Sequence, residues 1–338
     1  MTLRSRYVVL LIITELLILL SGCNGKEQVV VYCTVDRVFS EPVLKDFERE
    51  TGIEVKAVFD TEETKSTGVL NRLIAEKDRP RCDVFWSGDP MRNSILKKKG
   101  ITRAFIPDLA AQIPPEFKDP DGHWTGISAR ARVILYNKDL IPSGSLPQHM
   151  DEFTLPRFRG NFAIANPLFG TTTFHIAALY ELWGIEKTDN WLKALKENGL
   201  HIAASNGDVK KLVLKARVAF GLTDTDDAFE AVKESAKTGF VFPGQGPDGE
   251  GTLIIPNAIS LIGNAPHPQQ AERLYNYLVS KETEQKLALS CAQMPLITGN
   301  TPPPGIPSLE NIKPMPVDYG KLAGEFEKIL DRIKKWTE

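Results

Sequence analysis

The stretch QVVVYC, residues 28–33, begins the part of the chain that decides its architecture. Its β-branched residues follow one another without polar alternation, which is typical of a strand buried on both faces of a sheet. The next segment, SEPVLKDFERETG, places three apolar side chains on one helical face, with Ser40 as the expected cap and Gly52 as the stop. The run IEVKAVFD then completes a strand–helix–strand unit, which predicts a parallel sheet with right-handed crossovers.

The same alternation occurs in two separate parts of the chain. The first part continues with the helix TGVLNRLIAEKD, the strand CDVFW and the helix DPMRNSILKKKG. The second contains NFAIAN, TTTFHIAALYELWG, TDNWLKALKENG, HIAAS, DVKKLVLKA, VAFGL and DDAFEAVKESAKTG, which read in order as strand, helix, helix, strand, helix, strand and helix. The pattern therefore predicts two α/β units, each with its own sheet.

Two strand-rich segments, WTGISARARVILYNKDL and GTLIIPNAISLIG, connect these units and predict a hinge of two crossover strands. We expect residues 23–127 plus 252–300 to form lobe 1, and residues 128–251 plus 301–338 to form lobe 2. The final segment, LAGEFEKILDRIKKW, has its apolar residues on one helical face and is expected to pack onto the lobes.

The N-terminal residues have the layout of a signal peptide, predicted to span residues 1–22. Arg4 and Arg6 precede an apolar segment that is shorter than the about 20 residues of a membrane-spanning helix. The sequence Leu-Ser-Gly-Cys that follows resembles the lipobox of bacterial lipoproteins, in which the cysteine receives lipid. We therefore expect Cys23 to anchor an exported protein to the cell membrane, facing the periplasm or the exterior.

Charge and cysteine content exclude several classes of protein. The formal net charge is −2, and removal of residues 1–22, with two arginines and one glutamate, changes it to about −3, so nothing indicates a nucleic-acid partner. Beyond Cys23 the chain has Cys33, Cys82 and Cys291, whose wide spacing matches no zinc pattern. One hypothesis is that Cys33 and Cys291 meet near the hinge, as a disulfide or as soft ligands.

Five ordered segments together resemble the periplasmic solute-binding proteins of ATP-driven importers, in the ferric-ion-binding branch of family 1. They are VYCTVDRVFSEPVLKDFERETGIEV, NRLIAEKDRPRCDVFWSGDP, WTGISARARVILYN, LKENGLHIAASNGDV and GTLIIPNAISLIGNAPHPQQAERLYNYLVSKETEQKL, within residues 28–300. The resemblance implies a two-lobed venus-flytrap fold of the type II periplasmic binding proteins. It also implies a monomer that catalyses no reaction, with an ABC permease and its ATPase as partners.

The resemblance also gives positions for a metal site. The family's first ligand, usually histidine, falls on Asp36, and its glutamate falls on Gly88 or Asp89. The two adjacent tyrosines that grip ferric iron fall on Thr225 and Asp226. Because the phenolates are absent and carboxylates cluster instead, the resemblance implies an altered ligand.

Aspartates follow three of the predicted strands, where ligands collect in parallel sheets. They are Asp36, Asp89, Asp224, Asp226 and Asp227. Part of this set has a simpler explanation, since acidic residues also stabilise the start of a helix. As metal ligands we propose Asp36, Asp89, Asp224 and Asp226, a carboxylate set that suits a hard cation such as calcium, magnesium, manganese or iron. An organic ammonium against the face of Trp86 is the alternative.

A second group of residues indicates an anion. Gly170, Thr171 and Thr172 stand at a predicted helix start, where free amides face outward, and helix capping alone is the alternative. The resembled family uses this position, and that of Asn206, for an anion beside the metal. The SARAR segment offers Ser128 or Arg130 as a further candidate ligand from the hinge.

The sequence thus predicts a lipid-anchored binding protein for a small metal-ion or cationic solute, with a metal and a synergistic anion as the expected occupants. The alternatives are a phosphate-bearing organic solute, or a receptor subunit that signals without transport. A remote alternative is a phosphatase of haloacid-dehalogenase type that uses Asp224 and Asp226. Ala228 argues against that enzyme, because threonine or valine is expected there.

Overall fold

The computed structural model describes residues 26–60 and 67–338. The predicted signal peptide and its lipid-bearing Cys23 lie outside the described residues. Within the described ranges, no helix is long and apolar enough to cross a membrane.

A first sheet is built by alternating strands and helices at the start of the chain. The elements are β1 (Gln28–Cys33), α1 (Arg37–Thr51), β2 (Glu54–Phe59), α2 (Thr67–Ala75), β3 (Val84–Ser87), α3 (Pro90–Lys98) and the short β4 (Thr102–Arg103). The sheet runs in the order β2-β1-β3, with all three strands parallel, and β10 (Ile254–Ile262) then pairs antiparallel with β3. The parallel strands end at one edge, where α1 and α3 begin.

A second sheet repeats this plan in the middle of the chain. Its elements are β5 (Thr125–Asn137), β6 (Phe162–Ala165), α4 (Gly170–Trp183), α5 (Ile185–Glu197), β7 (His201–Ala203), α6 (Asn206–Leu214), β8 (Phe220–Asp224), α7 (Thr225–Glu234) and β9 (Thr238–Val241). β6 lies parallel to both β7 and β8. The starts of α4, α6 and α7 therefore lie at the carboxyl edge of this second sheet.

The long strand β5 belongs to both sheets. Its first half, through Ala131, pairs antiparallel with β10 of the first sheet. From Arg132 onward it pairs with β8, and its end also pairs with β9. The change of partner between these neighbouring residues creates the two lobes. The lobe boundaries that we drew from the sequence stay predictions.

The last part of the chain adds helices to this frame: α8 (Pro268–Leu278), α9 (Lys281–Cys291) and α10 (Tyr319–Thr337). α10 packs against α3 of the first lobe and α4 of the second. At its start, the ring of Tyr319 makes an edge contact with Trp124 at 5.6 Å between centroids and stacks on Phe174 at 5.6 Å. The final helix thus contacts both lobes, whereas the sequence assigned it to the second.

The first helix begins earlier than the sequence predicted. Asp36 occupies the N-cap position of α1, and Ser40 lies inside the helix, where its hydroxyl donates to the carbonyls of Val35 and Asp36 at 3.1 Å. Ser40 is therefore not the cap. Pro42, which lies within the helix, accounts for the error, because proline is usually taken to mark the first helical position.

The predicted link between Cys33 and Cys291 is wrong. All three cysteines that the structure describes, Cys33, Cys82 and Cys291, are free and buried. Burial raises the pKa of the Cys33 thiol to about 12 and that of Cys291 to about 12. Burial therefore disfavours the thiolate, which is the form of cysteine that binds soft metals.

Candidate functional site

A cleft of about 280 Å³ lies between the lobes, at the carboxyl edges of both sheets. The structure brings all but two of the predicted ligand-binding residues to its walls. These are Asp36, Asp89, Gly170, Thr171, Thr172, Asn206, Asp224, Asp226 and Asp227. They follow the ends of β1, β3, β6, β7 and β8, as expected when strands of a parallel sheet deliver ligand-binding side chains to one edge.

Two predicted ligand-binding residues, Ser128 and Thr225, do not lie on the cleft wall. Ser128 is fully buried at a φ of 41°, and its backbone N–H donates to the Glu284 carboxylate at 2.8 Å. The hydroxyl of Thr225 accepts a hydrogen bond from the N–H of Ala131 at 3.2 Å. Both residues therefore support the hinge strand β5, and their role as ligand contacts stays a prediction.

Trp86 does not line the cleft either. Its side chain is fully buried in β3, so it offers no exposed face to an organic cation. The sequence-based alternative of an ammonium ion packed on this ring is therefore wrong.

Asp224 is neutralised by a neighbour that the sequence analysis missed. The fully buried Arg132 donates to Asp224 Oδ1 at 2.6 Å. The other carboxylate oxygen, Oδ2, accepts from Thr171 Oγ1 at 2.9 Å and from Asn206 Nδ2 at 3.1 Å. With both oxygens engaged by donors of the protein, Asp224 organises the floor of the cleft and is poorly placed to ligate a cation in this conformation.

Asp89 is occupied in a similar way in the other lobe. It is the N-cap of α3, accepting from the backbone N–H of Arg92 at 3.1 Å, and it forms a buried ion pair with the Arg92 guanidinium. In the described part of the chain, no three His, Cys, Asp or Glu side chains are grouped so as to hold a metal ion. The four-aspartate metal site thus stays a prediction that this conformation does not assemble.

Arg130 is a basic side chain on the cleft wall. Its guanidinium donates to the carbonyl of Gly88 at 2.6 Å and to Asn257 Oδ1 at 2.9 Å, and Nε lies 3.8 Å from Asp224 Oδ2. Burial opposes its charge, but the carboxylates of Asp226, Asp224 and Asp36 raise the pKa of Arg130 above its ordinary value. The cleft therefore contains a permanent positive charge that touches both lobes.

The signal for the two arginines was present in the sequence as the alternation in SARAR. Residues two apart in a strand point to the same face, so Arg130 and Arg132 both point toward the cleft side of β5. Ser128 or Arg130 was the predicted ligand from this segment, and the structure places Arg130 on the cleft wall while Ser128 is buried.

Asp226 and Asp227 carry unusual acidities. Burial, reinforced by Asp227 and Asp224, raises the pKa of Asp226 to about 8. Burial followed by the charge of Asp224 raises the pKa of Asp227 to about 6, although Lys210, with its Nζ 3.4 Å away, acts in the opposite direction. The raised pKa favours the protonated form of Asp226, which can donate a hydrogen bond into the cleft.

Helix N-termini from both lobes face the same cleft. Residues at the starts of α1, α4, α6 and α7 all contribute to its walls. Among the described residues, the N-cap residues of α1, α4 and α7 make no side-chain cap bond, while Ser205 caps α6 by accepting from the N–H of Asp208 at 3.1 Å. In the first turn of α7, the N–H of Asp227 donates to Asp226 Oδ1 at 3.0 Å. Uncapped N-termini present free N–H donors and a partial positive charge, which together favour an anion.

The start of α4 depends on its glycine. Gly170, the first helical residue, has a φ of +60°, and a Cβ at this position would meet nothing within 4 Å. Glycine is therefore favoured at this position by the positive φ, and not by a lack of room for a side chain. This backbone turn places the first amides of α4 at the cleft wall.

Two lobes that share a strand and enclose a polar cleft at the carboxyl edges of their sheets form the two-lobed fold of the periplasmic binding proteins. Residues 80–321 match the family described as bacterial extracellular solute-binding proteins, and the chain belongs to this family. The protein is therefore a binding component of a transporter and not an enzyme, which excludes the phosphatase alternative.

Comparison with individual proteins supports the same class. The chain is 27% identical over 265 residues to "Iron uptake protein A1" of Synechocystis, covering 75% of this chain and 71% of that protein. It shares its fold with iron-bound HitA from Pseudomonas aeruginosa, at a TM-score of 0.83 and 22% identity over 92% of this chain and 100% of HitA. The AfuA protein of Actinobacillus pleuropneumoniae, with fructose-6-phosphate bound, gives a TM-score of 0.78 at 22% identity over 93% of this chain and 98% of AfuA. The expected resemblance to ferric-ion-binding proteins is thus confirmed.

Proposed function

We propose that the cleft binds a small organic solute through a phosphate or phosphonate group, for delivery to an ABC permease and its ATPase. The observation that carries this proposal is the convergence of uncapped helix N-termini and Arg130 on one cleft. Phosphate oxygens suit these donors, because backbone amides and arginine form strong, charge-assisted hydrogen bonds with them.

The charge balance of the walls favours an anion as well. Asp224 and Asp89 are paired with Arg132 and Arg92, so neither contributes a full negative charge to the cleft. The raised pKa of Asp226 favours its protonated form, which can donate to a phosphate oxygen. The remaining acidic side chains, Asp36 and Asp227, suit hydroxyl or amino groups elsewhere on the solute. A solute with an anionic end and a polar end satisfies the whole cleft.

The comparisons supply additional support for this class of ligand. AfuA shares the fold and holds a sugar phosphate, so the two-lobed architecture accommodates such a solute. The substitution of both iron-gripping tyrosine positions by Thr225 and Asp226 also argues for a ligand other than ferric iron.

A cation accompanied by a synergistic anion is the second candidate. The relatives named for iron favour it, as does the presence of Asp36, Asp226 and Asp227 on the cleft walls. This mode of binding requires loss of the proton from Asp226, so it becomes more favourable as the pH rises. The two candidates therefore differ in the sign of their pH dependence.

A melting-temperature screen tests the proposal. The panel contains inorganic phosphate, glycerol 3-phosphate, fructose 6-phosphate and phenyl phosphate, together with ferric citrate, Mn²⁺, Ca²⁺ and spermidine. We expect phosphate esters to raise the melting temperature, because a ligand at 100 times its Kd stabilises the folded state by about 2.7 kcal/mol. Stabilisation by metals alone, with or without carbonate, would contradict the proposal.

We also propose that the mature protein is a monomer anchored to the membrane through lipid on Cys23, which follows the lipobox-like Leu-Ser-Gly. Two or more acyl chains give stable anchoring, whereas one gives only marginal binding. We expect the full-length Cys23→Ser variant to lose labelling by radioactive palmitate and to leave the membrane fraction. The matched control is Cys291→Ser, which replaces a buried cysteine and should leave labelling unchanged. Undiminished labelling of Cys23→Ser would contradict the anchor.

A further inference from the structure

Apolar side chains from both lobes stand in the otherwise polar cleft. Val35 and Phe39 contribute from the first lobe, at the end of β1 and the start of α1. Phe169 contributes from the second lobe, where it directly precedes α4. The phosphate-binding proposal gives no role to these side chains.

Phe169 is the more informative of the two aromatic residues. It stands at the N-cap of α4, a position where serine, threonine, aspartate or asparagine would satisfy a helix amide. Its side chain is 41% exposed, while the neighbouring Leu168 packs against the core of the second lobe. A phenylalanine at this position removes a cap and places a ring on the cleft wall, a combination that is unfavourable for the unliganded protein.

Phe39 lies on the part of the cleft wall that the first lobe contributes. It is half-buried and packs on the core of the first lobe, so its ring is held in place by neighbours. Asp36, three residues earlier, lines the same wall and supplies a polar neighbour. Ligand pockets commonly combine such apolar walls with a few polar groups that fix orientation.

We propose that the solute carries a ring next to its phosphate, and that Phe39 and Phe169 pack against the two faces of this ring when the lobes close on it. The inference rests on the proposed function and narrows it to ring-bearing phosphates or phosphonates. The phosphate occupies the helix N-termini, and the ring lies between the aromatic walls. Aromatic packing favours such a ring over an alkyl chain of the same charge.

Calorimetric titration with phenyl phosphate and methyl phosphate tests the inference, because the two esters have the same anionic group and differ in the ring. We expect the unmodified protein to bind phenyl phosphate about tenfold more tightly than methyl phosphate. Phe169→Ala should reduce this preference to about twofold or less. Phe39→Leu, which retains an apolar side chain in the core, should also reduce it.

The control variant is Leu289→Ala, which removes a 68% exposed apolar side chain that does not line the cleft and should leave both affinities unchanged. Equal affinities for the two esters, unaffected by Phe169→Ala, would overturn the ring inference and leave phosphate binding intact. Binding of neither ester, nor of any other phosphate in the screen, would overturn the proposed function itself.

Discussion

Replacing Arg132 by methionine is expected to lower the free energy of unfolding by about 3–5 kcal/mol. Arg132 is fully buried and donates to Asp224, Thr171, Thr172 and Asn206, so it joins β5, α4, α6 and β8. Methionine keeps much of the volume but leaves the Asp224 carboxylate buried without its cationic partner. Chemical denaturation in urea, followed by circular dichroism, measures the change.

Two further variants control this prediction. The double variant Arg132→Met with Asp224→Asn should recover part of the loss, because it removes the uncompensated charge. Lys237→Met breaks an ion pair with Asp139 in which both side chains are more than half exposed, and it should cost less than about 1 kcal/mol. A cost for Arg132→Met as small as that of Lys237→Met would mean that the pair does not organise the cleft floor.

Arg130→Gln is expected to weaken phosphate-ester binding by about 10- to 100-fold, the contribution of one or two hydrogen bonds to a charged group. Glutamine can still donate to the carbonyl of Gly88 but carries no charge. If the solute were a cation, the same substitution would strengthen binding, because it removes a repulsive guanidinium from the wall. Calorimetric titration of the variant with fructose 6-phosphate and with Ca²⁺ therefore distinguishes an anionic solute from a cationic one.

The matched control for this variant is Lys210→Gln. It removes the same unit of charge from a residue that pairs with Asp227 and Glu230 and does not line the cleft. We expect a change in affinity of less than about threefold. If both variants lost the same affinity for the phosphate ester, the effect of Arg130→Gln would be due to long-range electrostatics. That result would contradict direct contact between the solute and Arg130.

Much of the architecture was predictable, because its elements depend on local pattern. Strands β1, β3 and β8 appear in the sequence as short apolar runs, and the helices between them show one apolar face. The short β4 was missed because its two residues are too few to carry a periodic signal, and β9 because it follows α7 directly. The start of α1 was misplaced because Ser40 and Pro42 both imitate a helix start.

The site was predictable only in part, for a related reason. The rule that ligands gather at the carboxyl ends of parallel strands brought the cleft aspartates together correctly. It could not show that Asp224 meets Arg132, which is 92 residues away in the chain, since that contact depends on the pairing of β5 with β8. Charge pairing of this kind decides whether an acidic cluster attracts a cation or supports an anion site.

The hinge strand shows the same limit at Ser128. Its polar side chain in a segment rich in arginine suggested a ligand contact, yet a positive φ and the buried Glu284 hold it within the protein. Glu284 also accepts from the backbone N–H groups of Leu296 and Ile297, at 3.1 and 2.8 Å. The contact with Ser128 joins α9 to the hinge strand across 156 residues of sequence, so no local pattern could predict it.

The most direct test of the central claim is a calorimetric titration with fructose 6-phosphate at pH 7 and pH 9. The phosphate is a dianion at both values, because its second pKa is about 6, so the main change in the cleft is ionisation of Asp226, whose pKa is raised to about 8. We predict about tenfold weaker binding at pH 9, and loss of this pH dependence in Asp226→Asn. Absence of phosphate-ester binding at pH 7, with Ca²⁺ or Mn²⁺ bound more tightly at pH 9, would contradict the account and establish a cation site.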